Sequence, residues 1–159
     1  MHDEIMKLIE KNEIDSVVVL FMKMKKTQYK EMCNWLVEEM KATDDCCIRN
    51  TIAIILGDLR YNGAVDTLIQ LIQNPQNANS RGTLIYALKE LKCEKNLTDL
   101  IDILLNGNFE TKWNMHDLIL KKRKLLSKKD RKKYKKEIKK KIIALEIELG
   151  LYYDLKEKL

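Results

Sequence analysis

Residues 49 to 59 read RNTIAIILGDL, and residues 81 to 91 read RGTLIYALKEL. A shift of 32 residues lays Arg49, Thr51, Ile52, Leu56 and Leu59 on Arg81, Thr83, Leu84, Leu88 and Leu91. The same shift carries Val65, Leu68, Ile69, Leu71 and Ile72 onto Leu97, Leu100, Ile101, Ile103 and Leu104. In the other direction it returns Val65, Leu68, Ile69 and Ile72 to Cys33, Leu36, Val37 and Met40. Helix pairs repeated in phase are the pattern of a stack, because neither helix of one pair buries its apolar stripe alone.

Five glycines and one proline leave little material for hairpins, and apolar residues recur at spacings of three and four. The breaks carry capping and helix-ending residues: Asp44-Asp45, Tyr61-Asn62-Gly63, Asn74-Pro75, Asn106-Gly107-Asn108 and Ser127. The expected fold is all-α, an α-solenoid of stacked antiparallel helix pairs within one domain. Its units run over 16–47, 48–79 and 80–111, and capping helices follow over 112–159. Ser127-x-x-Asp130 reads as a capping box opening a long helix that ends near Gly150. Tyr134, Ile138, Ile142, Leu145 and Leu149 form the stripe expected to dock it on the last repeat.

The run Arg49-x3-Ala53-x2-Leu56-Gly57-Asp58-Leu59, followed by Ala64-Val65-x2-Leu68-Ile69-x-Leu71-Ile72, resembles HEAT repeats, especially the short bacterial kind. The resemblance covers residues 16 to 111 and is strongest in the second unit. It implies that the second helix of each pair lines a concave contact face. On the 32-residue register that face holds three columns: Asn34, Asp66 and Thr98; Trp35, Thr67 and Asp99; Glu38, Gln70 and Asp102. Of these, Asn34, Trp35, Glu38, Asp66, Gln70, Asp99 and Asp102 are the candidate contact residues. Acids and amides around one tryptophan suit a basic protein and repel phosphates.

The net charge of +6 conceals an asymmetry. Residues 121 to 141 hold fourteen Lys or Arg against Asp130 and Glu137, a net +12, which leaves −6 for the remainder. Lys128, Arg131, Lys132, Lys135, Lys136 and Lys139 are therefore candidate polyanion contacts. Twelve of the fourteen are lysines, whereas base readout and bidentate phosphate clamps lean on arginine. The strip reads first as the outer face of a terminal helix and second as a phosphate-binding surface.

Chemistry is sparse. His2 and His116 are the only histidines, His2 at a mobile terminus and His116 on a helix where its neighbour Asp117 points about 100° away. Nucleophile-elbow, phosphate-loop, zinc-protease and dinucleotide patterns are missing, so we expect no catalytic residue and no enzyme. Cys33, Cys46, Cys47 and Cys93 contain no C-x-x-C pair and read as reduced thiols packed like small apolar residues. Asp44-Asp45-Cys46-Cys47 fits an N-cap and a first buried turn better than a metal site. No cofactor or metal is expected.

The N-terminus has acids where a signal peptide carries bases, and no window approaches the ~18 apolar residues of a membrane span, so a cytoplasmic chain is expected. The leading functional expectation is a protein-binding module. Its most specific form is an immunity protein that neutralises a cognate basic toxin of the nuclease kind. A nucleic-acid-binding accessory protein using 121–141 and a generic scaffold are the other readings.

Overall fold

The computed structural model describes residues 1–159, apart from the side chains of Thr98 and Asp99. Among the described residues every regular element is helical. The chain divides into two compact units, residues 1–122 and 123–159.

The first unit contains α1 (His2–Glu10), α2 (Ile14–Met22), α3 (Lys26–Ala42), α4 (Cys46–Asp58), α5 (Val65–Gln73), α6 (Arg81–Leu88), α7 (Ile101–Asn106) and α8 (Phe109–Lys122). A 3-10 segment over Glu94–Leu100 leads into α7. The N-terminal residues are not the mobile end anticipated from the sequence. Asp3 and Glu4 sit in the first turn of α1, where acids favour a helix, and Ile5 and Ile9 are buried. Asn12 ends α1 in the left-handed conformation with φ 58°, which asparagine tolerates better than most residues.

Helices α4 and α6 are apolar on nearly every side, and such helices belong in the middle of a core. Ile52, Ile55 and Leu56 of α4 and Leu84, Ile85 and Leu88 of α6 are completely buried. Each contributes about 1.5–3 kcal/mol relative to an exposed side chain. Helix α4 packs on α2, α3 and α6, and α6 packs on α4, α5 and α8. Gly57 permits the close approach of α4 to α6: a Cβ there would meet the Ala87 carbonyl oxygen at 3.1 Å and its Cα at 3.2 Å.

Polar clasps fix the loops around this seam. Asp45 caps α4 by accepting from the N–H groups of Cys47 and Ile48, at 2.7 and 3.2 Å, as the capping reading anticipated. The buried Arg49 donates from Nη1 to Asn77 Oδ1 at 2.8 Å and from Nη2 to the Thr43 carbonyl. Asn77 in turn donates to the Leu71 carbonyl at 2.8 Å. Arg81, matched to Arg49 in the sequence, likewise reaches back to a loop carbonyl, that of Asn74 at 3.1 Å. The amphipathic α5 buries Val65, Leu68, Ile69 and Ile72 and leaves Asp66 and Gln70 in solvent.

The second unit is dominated by α9 (Lys128–Lys158). Ser127 Oγ accepts from the Asp130 N–H at 3.0 Å, which is one half of the anticipated capping box. It also donates to the Asp130 carboxylate at 2.6 Å, so that carboxylate meets the Ser127 hydroxyl where a capping box uses the backbone N–H. One expectation fails here. The helix passes through Gly150, because one glycine costs only about 1 kcal/mol and good helix formers flank it. Along the stripe of α9, Tyr134 is buried, and Ile138, Ile142, Leu145 and Leu149 are exposed.

These two glycine environments predict opposite outcomes. Gly57→Leu forces α4 and α6 apart and is expected to cost about 1–3 kcal/mol in urea denaturation. A Cβ added at Gly150 would meet nothing within 4 Å outside its own helix backbone, so Gly150→Ala is expected to gain up to about 1 kcal/mol.

Candidate protein-interaction surfaces

Three surfaces differ in charge and chemistry. The first lies on α3, α5 and α7. Helix α3 borders α5, and α5 borders the Glu94–Leu100 segment that leads into α7. Asn34, Glu38, Asp66, Gln70 and Asp102 are all exposed there. The Asp99 side chain, also a candidate, lies outside the described residues. Trp35 is not a bare anchor. Its indole N–H donates to Glu39 Oε1 at 2.9 Å, and its ring lies 4.4 Å, centroid to centroid, from that of His2. Asn34 accepts from the Tyr61 hydroxyl, which ties the end of that row to the loop after α4.

The second surface is an aromatic ridge on α8 that sequence reading missed. Phe109 and Trp113 are 81% and 60% exposed and stack at 6.2 Å, and His116 follows at 6.3 Å from Trp113. Helix α8 carries two stripes. Thr111, Met115 and Leu118 face inward, while Phe109, Trp113, His116 and Leu120 face outward. Both have helical spacing, so periodicity does not say which one a neighbour covers. The usable signal is that the outward stripe holds the aromatics, a residue class enriched at interface hot spots.

The third surface is the lysine strip, which is smaller than the sequence suggests. Lys121 pairs with Glu90, while Lys122 bonds Glu94 at 3.2 Å and the Leu91 carbonyl, all within the first unit. Lys121 therefore holds the Glu90 carboxyl below the ordinary carboxylate range. In the second unit Lys128, Arg131, Lys132 and Lys135 line one open depression, as residues at i, i+3, i+4 and i+7 of a helix must share a face. Lys136 and Lys139 are exposed outside it. Cations in the first turn oppose the helix dipole, and Asp130 offsets only part of that cost.

The chemistry-bearing groups are local. His116 Nδ1 lies 3.4 Å from Asp117 Oδ1, and the other Asp117 oxygen accepts from Lys89 at 3.2 Å. The Lys89 hydrogen bond, followed by that of His116, lowers the Asp117 pKa. Cys46 and Cys47 are exposed, contrary to the expectation of packed thiols, because the first turn of α4 faces solvent and its buried side starts at Arg49. Their sulfurs and the Asp45 carboxylate lie within 4.8 Å of one another, but one Asp45 oxygen is already taken by two helix N–H groups. Cys33 and Cys93 are buried, and burial raises each thiol to about 11.

No family model matches the chain, and neither does any curated protein or solved structure. Among the described residues no helix is long and apolar enough to cross a membrane.

The thiols give a paired prediction. Cys46 and Cys47 are expected to react promptly with a maleimide in the folded protein, and Cys33 and Cys93 only on unfolding. The folded chain retains the Cys33 and Cys93 protons up to about pH 11, whereas the unfolded chain loses them near 9. Stability is therefore full below pH 9 and falls as pH rises through the 9–11 window. A urea midpoint that holds steady from pH 8 to 10.5 would contradict this.

Proposed function

We propose that this chain is a non-enzymatic protein-binding module, a HEAT-like stack of helix pairs that holds a basic partner along α3, α5 and α7. The observation that carries the reading is the exposure of Glu38, Asp66 and Asp102 with the amides Asn34 and Gln70. Opposite potentials across an interface speed encounter and select partners by sign. The most specific form of the reading is an immunity protein that covers the active site of a cognate toxin acting on nucleic acid. Such a toxin binds phosphates and so presents a basic surface, to which an acidic row is complementary.

The direct test is co-expression with the product of the adjacent gene, followed by co-purification and a growth assay. The two products are expected to form a complex, and the neighbour alone to be toxic. Changing Glu38, Asp66 and Asp102 together to Lys is expected to weaken the complex about tenfold or more. A harmless neighbour with no affinity would overturn the immunity reading. A complex indifferent to the three reversals would overturn the assignment of the face.

One observation favours a second reading. Lys128, Arg131, Lys132 and Lys135 surround a single depression at a helix start, an arrangement suited to a phosphate-bearing polymer. If all four neutralise phosphates, affinity for duplex DNA falls with a log–log salt slope of roughly −3 to −4. Charge reversal at Lys132 and Lys135 is expected to flatten that slope. An unchanged slope would rule the depression out.

A further inference from the structure

We propose that the exposed stripe of α9 is a dimerisation seam, covered by α9 of a second copy of this chain running antiparallel. This goes beyond the acidic-row reading above, which uses α3, α5 and α7. Every residue from 142 to 159 is exposed. A bare helix draws little stability from its own hydrogen bonds, and most helical stability in proteins comes from packing an apolar face. Here the face is unusually apolar: Ile138, Ile142, Leu145, Leu149 and Tyr152 are between 37% and 62% exposed.

Their spacing identifies the occupant. Steps of four, three, four and three residues are those of a coiled-coil seam, with Ile138, Leu145 and Tyr152 at d and Ile142 and Leu149 at a. Such a seam is matched by another helix with the same repeat, and α9 supplies its own complement.

Charge sets the direction. Residues 128–141 hold ten Lys or Arg against two acids, a net +8, while residues 142–159 hold four acids against two lysines, a net −2. Parallel pairing lays one +8 segment beside the other. Antiparallel pairing lays each beside the acidic half of its partner. Charge also selects the register. With Ile142 opposite Leu145 of the second copy, Ile138 meets Leu149. The flanking positions then set Lys139 against Glu146 and Lys141 against Glu148, twice each by symmetry. Lys135 falls over the Tyr152 ring, where a cation on an aromatic face is favourable.

Sedimentation equilibrium of the full chain tests this. The mass expected at micromolar concentration is that of two chains. Glu146→Lys with Glu148→Lys is expected to raise the dissociation constant at least tenfold, and adding Lys139→Glu with Lys141→Glu to restore it. These flanking changes leave the apolar seam intact, and circular dichroism checks that helix content is unchanged. Direction is read in a Cys46→Ser, Cys47→Ser background by mixing Ile138→Cys chains with Leu149→Cys chains. The mixed disulfide is expected to dominate over either symmetric one. A monomer at every concentration would overturn the seam, including one that instead sediments with phosphatidylserine vesicles. A dimer indifferent to the reversals, or a dominant symmetric Leu149→Cys disulfide, would overturn the antiparallel register.

Discussion

The contact between α4 and α6, closed down to the Gly57–Ala87 approach, is the constraint on which the first unit depends. Two helices that are apolar on nearly all sides must be surrounded, and α2, α3, α5 and α8 are the elements that surround them. Because the surrounding helices need only one apolar face each, their other faces are free to carry acids or aromatics. The Arg49–Asn77 clasp matters for the same reason. It satisfies the part-buried carbonyls of Thr43, just before α4, and of Leu71, in the last turn of α5, where an unpaired polar group costs about 1–3 kcal/mol.

The second unit obeys a different balance. Its helix starts with a side-chain cap from Ser127 and then runs through residues whose apolar side chains remain in solvent. The lysines that precede them keep the surface charged, which opposes indiscriminate association while leaving a charge-matched association open. In the first unit, α8 carries its apolar surplus as stacked aromatics instead, and Lys121 and Lys122 spend their charge on Glu90 and Glu94. What looks like one basic tract in the sequence is thus divided between an internal ion-pair set and a helix surface.

Much of the helix content was legible, and the reasons are local. The Asp45 and Ser127 caps act through side-chain oxygens next to their own helices, so a short window of sequence contains the whole interaction. The exposed positions of α3 and α5 followed from one apolar stripe per helix. Other features depend on what a stripe meets. The exposed α9 stripe, the outward ridge of α8 and the burial of Ile5 and Ile9 are all apolar periodicity with the neighbour unspecified. Trp35 looked like a free anchor because nothing in its own helix reveals that His2 stacks against it. Cys46 and Cys47 looked packed because the first turn of a helix offers too few residues to define its inner side.

Amide hydrogen exchange along the chain tests the organising role of the α4–α6 seam most directly. Backbone amides of α4 and α6 sit at the centre of the first unit, so their exchange is predicted to require its global unfolding and to be the slowest in the protein. Peptides covering 46–58 and 81–88 should be the last to take up deuterium, behind α1, α5 and α8. Faster exchange in α4 or α6 than in those outer helices would contradict the seam as the element on which the unit is built.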